Sequence, residues 1–315
     1  MANCQSATVY LLENGGSVGG LRSRRVCALI RKMNPEPPSS SITRREFLGS
    51  LPPAAALLVA AHGSARAADG GPAGFSFIQV NDLHYFNDEC GPWFRAVVEQ
   101  MKASAPAAKF CLLCGDLADD GSHAALTAVK AIFSGLGVPL CAVPGNHDFT
   151  SGETRTGYDA VFAGMLNYRF VHEGWQFLGL DSTMGTQFDE TLVNDATLAW
   201  LDAEVPKLDP RAPTVAFTHF PLAEGMTYRP RNAAAALERL LKLNLVAVFN
   251  GHWHGADERK AGAATLITSR CCARVRGNRD GSPLKGWYVC DARPDGTLAR
   301  RFVTFRAPAE IPAAI

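Results

Sequence analysis

Long apolar runs are missing from this chain. No stretch reaches the roughly 18 consecutive apolar residues that a bilayer-spanning helix requires, which excludes an ordinary helical membrane protein. There is no internal repeat, so a repeat array is excluded. No low-complexity tract is long enough to suggest a mostly disordered chain. A charge excess of one sign is also lacking, with 31 Lys+Arg against 30 Asp+Glu and a net charge of +1. Histidine is sparse, at 8 of 315 residues, so its placement carries information. What is present, 47% apolar and 19% charged residues, describes a globular chain of one large domain or two small ones.

The first 67 residues read as a leader. "SITRREFLGS" carries Arg44-Arg45 followed by Phe47-Leu48, then the modest apolar run "LPPAAALLVAAH", then Ala65-Arg66-Ala67, a small-x-small cleavage pattern. The paired arginines match a twin-arginine signal. Pro52-Pro53 and the absence of helical periodicity argue against a core helix here. Met33 begins a leader of normal length, so residues 1–32 are expected to precede the natural start. Export, a periplasmic location, recognition by the twin-arginine machinery and the absence of a stable membrane anchor follow as expectations. The mature domain is expected to span 68–315.

Residues 1–67 carry eight Arg and Lys against three Glu, a net +5, which leaves residues 68–315 at −4. An acidic mature chain is a poor partner for nucleic acid, whose non-specific binding depends on neutralised phosphates. Cys4 and Cys27 fall in the leader, and the seven remaining cysteines cannot all pair. Cys111 and Cys114 have C-x-x-C spacing. They lie in a strand-like run, where residues three apart face opposite sides, so the reading is two small buried hydrophobes.

Apolar runs alternate with helical stretches. "FSFIQV", "KFCLLC", "VPLCAV", "TVAFTHF" and "LVAVFN" read as strands. Helices are expected from Trp93 to Ala105, from about Ser122 to Gly135, from Asn194 to Val205 (stopped by Pro206) and near Asn232–Leu243. Gly174 between two short apolar runs marks a hairpin. The tail, "TLITS", "GWYVCDA" and "ARRFVTFR", is purely β. The order predicts one layered α/β domain closed by antiparallel strands.

Polar clusters stand at the carboxyl ends of these runs, where open α/β sheets build their sites. They are Asp82 and His84 in "NDLHY", Asp116 and Asp119 in "GDLADD", Asn146, His147 and Asp148 in "GNHD", His219 in "AFTHF", and His252 and His254 in "VFNGHWHG". Five of the 8 histidines fall in them. One such cluster is an ordinary polar turn. Five together, each rich in oxygen or imidazole donors, point to a metal site.

The ordered set D-x-H, G-D-x-x-D, G-N-H-D, His and G-H-x-H resembles the calcineurin-like metallophosphoesterases, over roughly residues 75–305. The resemblance implies a four-layer αββα sandwich of two mixed sheets, the metallo-dependent phosphatase fold. It implies two metal ions: Asp82, His84 and His254 would bind one, Asn146, His219 and His252 the other, and Asp116 would bridge them. A ligand set without thiolate suits Mn, Fe, Zn or Co, as divalent or mixed-valence ions. Purple acid phosphatases have Tyr where Asp119 stands, so an iron–tyrosinate site is not implied. Asp119 would orient a histidine, His147, with a loop cap before the Ser122 helix as the competing role. His147 would act as the catalytic acid.

The reaction so implied is hydrolysis of a small phosphodiester or phosphomonoester by attack of a metal-bridging hydroxide. Arg155, Arg229, Arg231 and Arg270 follow the motifs closely enough to clamp a substrate phosphate. His123 and His172 read as structural or solvated, and His62 lies in the leader. Two other functions compete. A non-catalytic scaffold of this fold would lose metal ligands, and all seven positions are filled here. A nuclease is disfavoured by the −4 charge and the lack of an added DNA-binding region.

Overall fold

The computed structural model describes residues 74–313. The leader, its cleavage site, the Met33 start and the boundary at residue 67 lie outside the described residues.

Eleven strands among the described residues form two mixed sheets. In the first, β1 (Phe75–Val80), β2 (Ala108–Cys114) and β3 (Leu140–Val143) run parallel. β10 (Gly286–Ala292) and β11 (Leu298–Thr304) extend it antiparallel, giving the order β11-β10-β1-β2-β3. In the second, β5 (Trp175–Gly179), β6 (Pro213–Phe217), β7 (Asn244–Asn250) and β9 (Ala264–Thr268) run parallel. Antiparallel β4 (Tyr168–His172) and β8 (Asp257–Ala261) close its two edges.

Three apolar layers follow from the two-residue period of the strands. Phe77, Phe110, Phe177, Phe217 and Phe249 meet between the sheets. Phe77 stacks on Phe110 with centroids 5.2 Å apart, and Phe110 meets Phe177 edge-on at 5.0 Å. Each such pair adds about 0.5–1.5 kcal/mol beyond burial. The alternate residues Ile78, Val80, Cys111 and Leu113 pack against α1 (Cys90–Ser104), α2 (His123–Ser134) and α3 (Thr156–Val161). On the other side Leu178, Ala216, Val248 and Leu266 pack against α4 (Asp195–Glu204) and α5 (Ala233–Leu240). The layers are therefore α, β, β, α. Strands buried on both faces explain why they read as continuous apolar runs rather than alternating ones.

Local chemistry sets the element ends. Ser122 accepts from Ala125 N–H at 3.3 Å to cap α2, and Asn194 accepts from Thr197 N–H at 2.9 Å to cap α4. Glu173 and Gly174 both take positive φ in the β4–β5 hairpin, the twist a two-residue turn needs. Cys111 and Cys114 face different apolar layers, and all seven described cysteines are free and buried. Among the described residues no helix is long and apolar enough to cross a membrane.

Candidate metal centre

The loops after β1, β2, β3, β6 and β7 converge at one edge, shared by both sheets. Main-chain bonds continue the β1–β2 pairing past the strands: Asp82 N–H donates to Gly115 O at 3.0 Å, and His84 N–H to Asp116 O at 2.9 Å. The second sheet does the same where Gly251 N–H donates to His219 O at 3.0 Å. Asp82, His84, Asp116, His252 and His254 all adopt left-handed backbone, with φ between 46° and 64°. That conformation is uncommon for non-glycine residues and concentrates at functional sites. The glycines of the motifs have a packing reason. A Cβ on Gly145 would collide with the Asp116 carboxylate, and one on Gly251 with that of Asp82.

The seven donors fall into two groups that share Asp116. Ligand atoms of Asp82, His84, Asp116 and His254 lie within 4.8 Å of one another, and so do those of Asp116, His219 and His252. Asn146 joins the second group through Oδ1, 3.3 Å from His219 Nε2. The Asp116 carboxylate divides between them: Oδ2 stands 3.4 Å from His84 Nε2, and Oδ1 3.3 Å from His219 Nε2.

Each imidazole is held from outside by an acceptor. His84 Nδ1 donates to Asp119 Oδ1 at 2.9 Å, and His219 Nδ1 to Cys114 O at 3.2 Å. His252 Nε2 donates to Phe188 O at 2.8 Å, and His254 Nδ1 to Gly277 O at 3.2 Å. The inner nitrogens then confront one another, His84 Nε2 and His254 Nε2 at 3.1 Å, His219 Nε2 and His252 Nδ1 at 3.1 Å. Facing lone pairs at that distance require a proton or a cation between them. Outer bonds that fix tautomer and ring direction are the usual surroundings of metal-binding histidines. The donor set fits two cations.

The electrostatics agree. Burial alone would raise the carboxyl of Asp82, yet His254 and His219 hold it down at about 2. Asp116 is likewise lowered against its burial, by His219 and His84. Burial would depress His219, but Asp116 and Asp82 keep it up at about 9, and His254 is raised by Asp82. Burial and the charge of His219 push His252 down to about 3. Two buried carboxylates thus demand positive charge at this point.

His147 sits in the 3₁₀ turn Asn146–Asp148, with its N–H bonded to Asp116 Oδ1 at 2.9 Å. Its side chain lines a cavity of 610 Å³ together with Asn146, Phe149 and Phe188. The assignment of the Asp119 carboxylate to His147 is corrected. That carboxylate hydrogen-bonds His84 and stands 4.0 Å from His147 Nδ1, which donates instead to the Asp119 backbone carbonyl at 2.9 Å. Asp119 does not cap α2 either, because Ser122 does.

The four arginines expected to clamp substrate are engaged elsewhere. Arg155 Nη1 lies 2.6 Å from the buried Asp181, and Arg270 Nε 2.8 Å from Asp280. Arg229 Nε donates to Leu222 O at 3.0 Å, and the exposed Arg231 approaches Glu190 at 3.9 Å. Arg276 stands nearer the centre, where it donates twice to Asp119 Oδ1 at 3.0 and 2.5 Å. Sequence reading named Asp148 in "GNHD" without giving it a role. Its carboxylate accepts from Leu117, Ala118 and Gly145 N–H at 2.9, 2.9 and 2.8 Å, tying two donor-bearing loops together. The fourth letter of "GNHD" was the available signal for Asp148; Arg276 had none.

A model of the calcineurin-like phosphoesterase family matches residues 75–256. A Fibrobacter succinogenes protein named a probable cyclic nucleotide phosphodiesterase is 32% identical over 152 residues, 45% of this chain and 56% of that protein. The chain therefore aligns with little more than half the length of that relative. The 3′,5′-cyclic adenosine monophosphate phosphodiesterase of Escherichia coli is 27% identical over 247 residues, 72% of this chain and 89% of that one. Among solved structures, a dimetal phosphatase from Danio rerio superposes with a TM-score of 0.52 at 17% identity, over 75% of this chain and all of that one. The last comparison bears on the fold alone.

Proposed function

The chain belongs to the calcineurin-like phosphoesterase family, and from that premise we propose that it hydrolyses small phosphodiesters, cyclic nucleotides foremost. In this reading Asp82, His84 and His254 hold one metal ion, Asn146, His219 and His252 hold a second, and Asp116 binds both. The observation that carries it is the divided Asp116 carboxylate, one oxygen toward each histidine group. The names of relatives matched over most of their length support a cyclic nucleotide as substrate.

Two cations held there would supply the Lewis acidity that activates water and neutralises charge on the phosphoryl oxygens. The chain's own residues do the rest. Asp116 and Asp82 are the carboxylates of the donor set, so two divalent ions keep net positive charge and attract an anionic ester. Asn146 adds a donor without adding charge. His147 is held at Nδ1 by the Asp119 carbonyl, which leaves Nε2 for the leaving group as its oxygen takes a proton. Imidazole, carboxylate and amide donors without thiolate suit Mn, Fe, Zn or Co.

The test is a hydrolysis panel of bis-p-nitrophenyl phosphate, p-nitrophenyl phosphate and cyclic AMP, with Mn, Fe or Zn added. Faster cleavage of the diesters is expected; a strict preference for the monoester would overturn the substrate reading. Export through the twin-arginine machinery to the periplasm belongs to the same proposal, on the strength of Arg44-Arg45 and the run that follows. Replacing both arginines by lysine should retain active enzyme in the cytoplasm, since a receptor reads the pair. Unchanged periplasmic activity would refute that route.

A further inference from the structure

We propose that the ring of Phe188 is a stacking platform for the nucleobase of the substrate, a subsite that rests on the phosphodiester reading above. Phe188 is 56% exposed, and among the described residues only Phe86, at 57%, is a large apolar side chain as open to solvent. Its main chain is not loose. The Phe188 carbonyl accepts from His252 Nε2 at 2.8 Å, so the ring is carried one hydrogen bond from a donor of the metal centre. It borders the 610 Å³ cavity that Asn146 and His147 also line. A pocket of that size takes a nucleoside phosphate.

The surroundings hold the ring up from one side. Tyr228 meets it at an interplanar angle of 61° with centroids 6.2 Å apart, and meets the His252 ring at 82° and 5.2 Å. The Arg279 guanidinium lies over Tyr228 at 4.9 Å, and Arg279 N–H donates to His254 O at 2.9 Å. Tyr228 has φ of 62°, a strained conformation for a bulky side chain. Strain of that kind persists where surrounding contacts enforce it, and it clusters at ligand clamps. Phe188 and Arg279 are thus fastened through their main chains to His252 and His254, Tyr228 packs its ring on His252, and the residue next to the cavity leaves its aromatic ring open.

The occupant must be flat, polarisable and joined to a phosphate by a short linker, which describes a nucleobase on its ribose. Thr150, Ser151 and Thr186 line the same cavity, the Thr150 hydroxyl bonded to Thr154 and the Thr186 hydroxyl to Glu153. Stacking reads the face of a base rather than its edge. The platform therefore accepts any base and favours purines.

The test uses protein reconstituted with Mn²⁺ and compares adenosine 5′-monophosphate with ribose 5-phosphate by calorimetry. The wild type should bind the nucleotide about tenfold tighter, the size expected of one stacked base. Phe188→Ala should remove that advantage. Phe188→Leu keeps apolar bulk without a π face and should remove most of it. Metal content by elemental analysis should stay unchanged in both, because His252 is held by the backbone carbonyl. The ratio of kcat/KM for cyclic AMP over glycerophosphoethanolamine should fall about tenfold. Equal binding of the two phosphates by the wild type, or equal weakening of both in Phe188→Ala, would overturn the platform. Failure of the wild type to cleave any diester would sink the hydrolytic reading instead, while the binding comparison would still decide the subsite.

Discussion

His84 Nδ1 donates to Asp119 Oδ1 at 2.9 Å, and this bond joins the loop after β1 to the loop after β2 at the metal centre. Arg276 completes a line from the surface, with Nε and Nη2 on the same Asp119 oxygen. Burial would raise that carboxyl, but the bonds from His84 and Arg276 hold it near 2, so it stays an acceptor across the neutral range. Asp119→Ala should weaken metal binding at the Asp82–His84–His254 group about 10–100-fold, the usual cost of losing such an orienting partner. Arg276→Met should give a smaller loss in the same group. Competitive metal titration resolves the two steps; equal weakening of both would mean that Asp119 supports the whole loop cluster.

Asp116→Ala should abolish activity and leave neither cation tightly bound. Its two oxygens face different histidine groups, so both lose charge at once. Asn146→Ala removes one neutral donor from one group and should keep the other cation, with a rate loss of at least about 10–100-fold. Elemental analysis beside rate measurements decides the matter. Two metals per chain in purified Asp116→Ala would contradict the bridging role.

His147→Ala should slow an alkyl phosphodiester by about 10²–10⁴-fold, the range of general acid catalysis, and a p-nitrophenyl ester by much less. A basic alkoxide needs a proton on departure; p-nitrophenolate does not. Metal content should hold, because the His147 side chain bonds to the Asp119 carbonyl outside the donor set. Equal losses on both esters would assign the imidazole to charge stabilisation instead.

Metal uptake at pH 7 should release protons. Asp116 and Asp82 hold His219 at about 9, above its ordinary 6.5, and a cation bound there displaces that proton. Below pH 9 the apparent affinity should therefore fall about tenfold per pH unit for each proton displaced. The sign reverses for metal-stripped protein. Its stability from charged His219 is complete below 6.5 and is lost as pH rises through 9. Calorimetry in two buffers of different ionisation enthalpy counts the protons. An uptake independent of buffer would show that no histidine proton is displaced.

Much of the architecture was legible because the strands are buried on both faces. "FSFIQV", "KFCLLC" and "LVAVFN" are mostly apolar on both faces, and they became β1, β2 and β7. The edge strand β8, "DERKA", was not legible, since an edge exposed to water carries charge and resembles a loop. Helix α1 begins at Cys90, three residues before the expected Trp93: Cys90 already opens the buried stripe, but Gly91-Pro92 behind it read locally as a break.

The sequence by itself named the candidate donors, through motifs and the family they resemble, because each motif is local: a strand end, a left-handed turn and a polar residue lie within a few positions of one another. It could not say which nitrogen of each histidine faces inward. That depends on acceptors distant along the chain: Cys114 O for His219, Phe188 O for His252 and Gly277 O for His254. The same limit misassigned the Asp119 carboxylate, whose partners are 35 residues upstream at His84 and 157 downstream at Arg276. It also hid Phe188, an unremarked residue in a loop until tertiary folding hung its carbonyl on His252 and set it at the cavity that His147 also lines. Only the packing of two sheets at one edge brings such residues together, and no local pattern encodes it.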